Sequence, residues 1–170
     1  MMTKPTNAAN PCGLLGIEFV EFASPDADRL DELWRAFGFS RLAQHQDQPL
    51  DLYVQGDIRF LVNRAPDSFG GRFTAAHGPA ACAMGWRFAD AQHAFAQAVR
   101  RGARPYDGAR GALSFDVPAI YGIGDSLIYF FGPEDSHGKH FERTFVPHPE
   151  AMLVPDHGPI GTWTAEDVGP

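Results

Sequence analysis

Cysteine is scarce. Cys12 and Cys82 are the only two among 170 residues, too few for a disulfide framework and too far apart for a zinc-site pair. Basic residues are also short, with 14 Lys and Arg against 21 Asp and Glu and a net charge of -7. Phosphate backbones and anionic lipid need clustered cations, so nucleic acid and the membrane surface are excluded as main partners. The one basic cluster, Arg100, Arg101 and Arg104, falls where a helix should end and favours the helix dipole there. No apolar run approaches the roughly 20 residues of a membrane span. The opening stretch MMTKPTNAANP lacks the apolar segment of a signal peptide, so the cytoplasm is the expected compartment. What is present is an ordinary globular composition, 44% hydrophobic and 21% charged. It suits one domain, or two small modules sharing a core.

Residues 16–22 (GIEFVEF) read as a buried strand, short, aromatic and bounded by Gly and Ser-Pro. Alternation along it places Glu18 and Glu21 on opposite faces. A helix follows, with Ser24 as the expected N-cap, Pro25 in its first position and Gly38 as its stop. Leu30, Leu33, Trp34 and Phe37 give that helix one apolar face. Extended stretches are expected at 39–45, 50–55 and 58–63, and a short helix between Pro66 and Pro79. The pattern then restarts: strand 81–88, Asp90 as N-cap, a helix ending at Gly102, and extended pieces near 104–106, 113–117 and 127–131. The phrases Phe22-Ala23-Ser24 and Phe88-Ala89-Asp90 precede the two helices. Such a repeat of roughly 65 residues suggests an internal duplication of a βαβββ unit. After Gly132-Pro133 the chain becomes rich in Pro, Gly and His. An irregular tail is expected there, removable without loss of the core.

Four phrases carry a resemblance: GIEFVEFASPD (16–26), LYVQGDIRFLVNRAPDSF (52–69), HGPAACAMGWRFAD (77–90) and VPAIYGIGDSLIYF (117–130). In this order they resemble the N-terminal domain of bacterial 4-hydroxyphenylpyruvate dioxygenase, from Asn10 to Phe131. The resemblance implies an α+β vicinal-oxygen-chelate fold, two βαβββ modules forming an eight-stranded half-open barrel. The implied organisation is a flexible N-terminus (1–10), one domain (11–133, with modules at 14–66 and 80–133) and the irregular tail (134–170).

The resemblance also implies Fe(II) in the full-length enzymes, held in their C-terminal domain by two histidines and a glutamate. By the duplication, the matching positions here are Glu18, Ala83 and Tyr129, so no cofactor is expected on this chain. Three readings follow. The first is a dioxygenase-like domain of tyrosine catabolism, silent alone, supporting a catalytic domain on a partner chain or in a homo-oligomer. The second is a metal-free module holding a small aromatic or oxo-acid ligand, with Glu18, Tyr53, Arg59, Trp86, Phe115 and Tyr129 as pocket candidates. The third is a metal-dependent enzyme joining Glu18 to tail histidines, where His137 and His140 have the spacing of adjacent ligands on a helix. The glycines of YGIGD (121–125) lack a following helix and a basic residue, so they read as a turn and not a phosphate loop. Cys82 and Met84 are explained by burial in a strand.

Overall fold

The computed structural model describes residues 9–109 and 113–154. In chain order it contains β1 (Leu14–Ala23), α1 (Ala27–Ala36), β2 (Ser40–His45), β3 (Leu50–Gln55), β4 (Ile58–Asn63) and α2 (Phe69–His77). There follow β5 (Ala80–Phe88), α3 (Ala91–Arg100), β6 (Ala119–Tyr121), β7 (Leu127–Phe131), α4 (Lys139–Thr144) and β8 (Phe145–Met152). One open eight-stranded sheet holds the order β6-β7-β5-β1-β4-β3-β2-β8. β1 and β5 run antiparallel at its centre, and each pairs in parallel with the last strand of its own module, β4 or β7. This is the duplication in space, and it forms the half-open barrel.

Local chemistry sets the helix ends. Asp90 caps α3 by accepting from the His93 amide at 2.9 Å, and α1 stops at Gly38, whose φ is +90°. At the start of α1 the cap is Asp26, which accepts from Arg29 N. Ser24 Oγ accepts instead from Asp26 N, which moves the start of the helix beyond Pro25.

The second module departs from the expected pattern. Residues 104–106 contribute only an isolated bridge, Pro105 to Ile120, and residues 113–117 form no strand. The eighth strand comes from the segment expected to be an irregular tail. β8 pairs antiparallel with β2, aligning Phe145 with His45 and Met152 with Arg41. Arg41 also donates to the Glu150 carbonyl at 3.1 Å, and His148 Nε2 lies 3.6 Å from Asp51. Pro147 and Pro149 remove two N–H donors from this edge strand, which blunts it against further pairing. Most of the N-terminal stretch, and the tail residues His157 and Trp163, lie outside the described residues.

Three apolar clusters follow from strand alternation. Trp34, Phe39, Tyr53 and Val62 join α1 to the first module. Phe88, Ala94, Ile120 and Phe130 join α3 to the second. The largest lies on the opposite, inner face, where Phe19, Leu61, Leu127, Tyr129 and Phe131 meet Phe115, Phe141 and Phe145. At roughly 1.5–3 kcal/mol per fully buried large side chain, the two phenylalanines after residue 133 are part of the core. Gly85 is required beneath Phe19, because a Cβ there would lie 2.3 Å from the ring.

Candidate functional site

The six candidate pocket residues separate into three environments. Tyr53 is buried against α1 and donates to Asp31 at 2.6 Å. Trp86 packs with the α3 cluster. Both therefore sit on the helix-bearing side, because their strand parity carries them away from the concavity. Phe115 and Tyr129 belong to the inner cluster. Glu18 and Arg59 form a separate polar site at one end of the inner face.

Glu18 is 1% exposed. Its Oε2 accepts from His137 N at 2.9 Å and its Oε1 from Gly138 N at 2.7 Å. Arg59 Nη1 stands 4.0 Å from Oε1, and Arg87 Nη1 3.6 Å from Oε2. His137 and Gly138 lie in a turn and both take positive φ, +60° and +84°, and their successive N–H groups each meet one carboxylate oxygen, forming a small anion-holding nest. The carboxylate fills that nest and ties the start of α4 to the sheet. Both oxygens are engaged.

Alternation places Glu18 and Glu21 on opposite faces, whereas the structure turns both to the inner face. The register of β1 against β5 slips between Ile17 and Phe19, so Glu18 is the extra residue of a bulge. Both carboxylates are buried, and both reach groups of the inner face. Glu21, not Glu18, stands opposite Ala83. Its Oε1 accepts from Asn63 Nδ2 at 2.7 Å and Ser114 Oγ at 2.8 Å, while its Oε2 is buried without a partner. No cation pairs with it among the described residues. Burial pushes its carboxyl upward, against the pull of Asn63, Ser114 and Cys82. Burial likewise raises the Cys82 thiol and the Tyr129 phenol, with the Glu21 charge adding to each. Sequence reasoning weighed Glu21 only as the partner of Glu18 in alternation. The signal that could have found it is a carboxylate at inner-face parity in a strand otherwise apolar there.

The concavity is filled by its own rings. Phe115 lies with its centroid 4.8 Å from Phe19, 5.6 Å from Tyr129, 5.5 Å from Phe131, 6.2 Å from Phe141 and 4.8 Å from the His140 imidazole. Burial lowers the His140 imidazole, partly offset by Asp135. Open cavities flank the ring cluster: about 550 Å³ beside α1, between Asp26, Leu30, Leu33 and Pro79, about 370 Å³ between Pro25, Asn63, Pro66 and Thr74, and about 370 Å³ between Gln92, Phe95, Tyr106, Leu113 and Ala119.

Iron of the kind used by the full-length relatives does not fit these residues. Ala83 has no donor atom, both Glu18 oxygens are taken, and the Tyr129 oxygen accepts from Ser114 N at 3.2 Å. His137 meets Glu18 through its backbone amide, and His140 is turned among phenyl rings. Among the described residues no group of three His, Cys, Asp or Glu is placed to hold a metal ion. No helix among them is long and apolar enough to cross a membrane.

The fold and its paired modules define a vicinal-oxygen-chelate domain. A family model described as hydroxyphenylpyruvate dioxygenase, HPPD, N-terminal matches residues 8–142, and the chain belongs to that family. It is 44% identical over 149 residues to protein MelA of Shewanella colwelliana, a match covering 88% of this chain and 42% of that protein. It is 39% identical over 137 residues to a 4-hydroxyphenylpyruvate dioxygenase of Pseudomonas sp. (strain P.J. 874), covering 81% of this chain and 38% of that protein. A solved xylose isomerase-like TIM barrel/4-hydroxyphenylpyruvate dioxygenase fusion protein superposes with a TM-score of 0.71 at 32% identity, covering 82% of this chain and 22% of the fusion. The chain thus spans about two-fifths of the length of the curated relatives named here.

Proposed function

We propose that this HPPD-like N-terminal domain is catalytically silent alone and supports a catalytic domain carried elsewhere. The observation that carries the reading is the closed state of Glu18. A carboxylate held by two amides and flanked by two guanidinium groups is a structural tie, and freeing it as a ligand leaves two partly buried cations without their partner. The length of the relatives supports a catalytic partner, since they extend well beyond the matched part. The fusion protein supports a module that travels with larger chains. Exposed Ile17, Phe37 and Ile58 support contact with further protein, whether a catalytic domain or a second copy. Two free cysteines support the cytoplasm as its compartment.

The test is elemental analysis of the purified chain together with oxygen uptake on 4-hydroxyphenylpyruvate. The expected result is no stoichiometric iron and no turnover. One iron per chain with product formed overturns the proposal.

A further inference from the structure

The two guanidinium groups beside Glu18 are held in place but keep unused donors. Among the described residues neither Arg59 nor Arg87 donates a hydrogen bond, and each meets one acid, Glu18, at 4.0 and 3.6 Å. Both Glu18 oxygens are already taken by the amides of His137 and Gly138. Asp57, on the turn next to Arg59, pairs with neither arginine. Two cations therefore share one saturated carboxylate, and Arg87 Nε is buried without a partner. Glycine makes room for both groups: a Cβ on Gly16 would lie 2.9 Å from Arg87 Nη2, and one on Gly138 3.1 Å from Arg59 Nη2. The two side chains are 21% and 23% exposed, so solvent reaches them. None of the three cavities described above is lined by either arginine.

The same end of the sheet carries most of the exposed apolar surface. β1 and β4 start there, β3, β5 and β8 finish there, and α1 ends there at Phe37. Gln55, aligned with Ile58, donates to the Phe37 carbonyl at 2.9 Å, which sets Phe37 beside the β3–β4 turn. Among the described residues Ile17, Phe37, Ile58, Met152 and Leu153 are exposed at this end, against Ile123 and Val146 at the other. We propose that this end of the sheet docks a partner polypeptide through one acidic side chain flanked by apolar ones. The carboxylate takes the free donors of Arg59 and Arg87, and its apolar neighbours cover Ile17 and Ile58. One carboxylate brings two guanidinium groups and Glu18 to neutrality, which a phosphate dianion overshoots, and its plane suits guanidinium donors. On a chain of net charge -7, such a local cationic spot is where an acidic segment is steered. A polypeptide fits better than a free acid, because it adds apolar burial to the charge. The inference rests on the supporting-domain reading, and names the face and the chemistry by which support is given.

The test is NMR titration of the full chain with the peptide acetyl-Leu-Ser-Glu-Ser-Leu-amide, with its Gln counterpart, and with sodium acetate. The expected result is saturable shifts of the Arg59 and Arg87 Nε–H signals and of the Ile17 and Ile58 methyls at millimolar Glu peptide. They should vanish in about 1 M NaCl, where charge is screened within a few ångströms. The Gln peptide should bind about tenfold more weakly, the value of one charge-assisted hydrogen bond. Acetate should move the arginine signals alone, and at higher concentration than the peptide. Arg87→Gln should abolish the response to the Glu peptide; if that variant does not fold, the three wild-type titrations decide the matter alone. Equal binding of the two peptides, or no arginine shift with the Glu peptide, overturns the inference. Acetate binding as tightly as the peptide makes the ligand a free small anion and also overturns it. So does concentration-dependent self-association that Ile58→Asp abolishes, since a second copy then covers this face. Iron content and oxygen uptake are blind to these signals, so failure here leaves the silent-domain proposal standing.

Discussion

Glu18 and Glu21 lie three residues apart on β1, are each 1% exposed, and are solved in opposite ways. Glu18 has two amide donors and two guanidinium neighbours, and both oxygens are used. Glu21 has two neutral donors on one oxygen and none on the other. A buried charge is tolerable when paired and hydrogen-bonded, and is otherwise driven toward its neutral form. The first carboxylate is therefore a fastening that needs its charge, and the second a group better off without it. The fold can hold both on one face only because the bulge at Glu18 breaks the alternation of the strand.

The strongest way to break the contrast is to delete one set of partners and leave the other. Truncation after Pro133 removes His137 and Gly138 from Glu18 but leaves Asn63 and Ser114 on Glu21. It also removes Phe141 and Phe145 from the inner cluster and β8 from β2. Loss of a buried Phe side chain alone costs about 3–5 kcal/mol, and a domain has only about 5–15 kcal/mol in total. The expected outcome is loss of the cooperative transition in urea. A truncated chain that still unfolds sharply, close to the parent midpoint, returns the segment to the status of a tail.

That segment marks where the sequence was legible and where it was not. β1 to β4, α1, α3 and β5 could be read because apolar periodicity and glycine stops agree over them, although the cap of α1 is Asp26 and not Ser24. The end of the chain could not. Lys139–Thr144 is shorter than a self-supporting helix, and Phe145–Met152 contains two prolines, so local signals argue against both elements. Pairing with β2 and burial of Phe141 override those signals. The same limit applied to residues 113–117, where alternating apolar residues suggested a strand and the ring instead filled a concavity that other elements create. At the site, the inward Glu18 and the inner-face Phe115 and Tyr129 were legible. Tyr53 and Trp86 depended on the parity of their own strands, and the importance of Glu21 on the one bulged residue of β1 that resets parity there.

A narrower break is Glu18→Ala. It leaves two amides and two partly exposed arginines facing an empty position, so the cost should approach about 3 kcal/mol, the lower end for breaking a buried pair. Glu18→Gln keeps the shape and one acceptor but not the charge, so it should cost less, about 2 kcal/mol. Chemical denaturation measures both. If Glu18→Gln is neutral, the tie is shape alone and the charge has no part in it.

The smallest expected effect sharpens the contrast most, because Glu21→Gln should move stability in the other direction as pH rises. Burial raises the Glu21 carboxyl above its ordinary 4.5, so the folded chain keeps a proton that the unfolded chain gives up near that pH. Stability linked to this group is complete below about pH 4.5 and falls as pH rises, until the folded carboxyl itself ionises. Gln has no such proton to lose. In acid the variant should lie within about 1 kcal/mol of the parent, since one neutral hydrogen-bonding group replaces another. Toward neutral pH it should gain on the parent, because only the parent has a proton to lose. The half-buried imidazoles of His45 and His140, both lowered by partial burial, act in the opposite sense: they stabilise above their ordinary 6.5 and lose that contribution as pH falls. Their slopes are common to parent and variant, so the difference between the two unfolding curves isolates Glu21. A difference that stays flat from about pH 4 to 8 means that Glu21 ionises in the fold as it does in the open chain, and that its unpartnered oxygen is solvated after all.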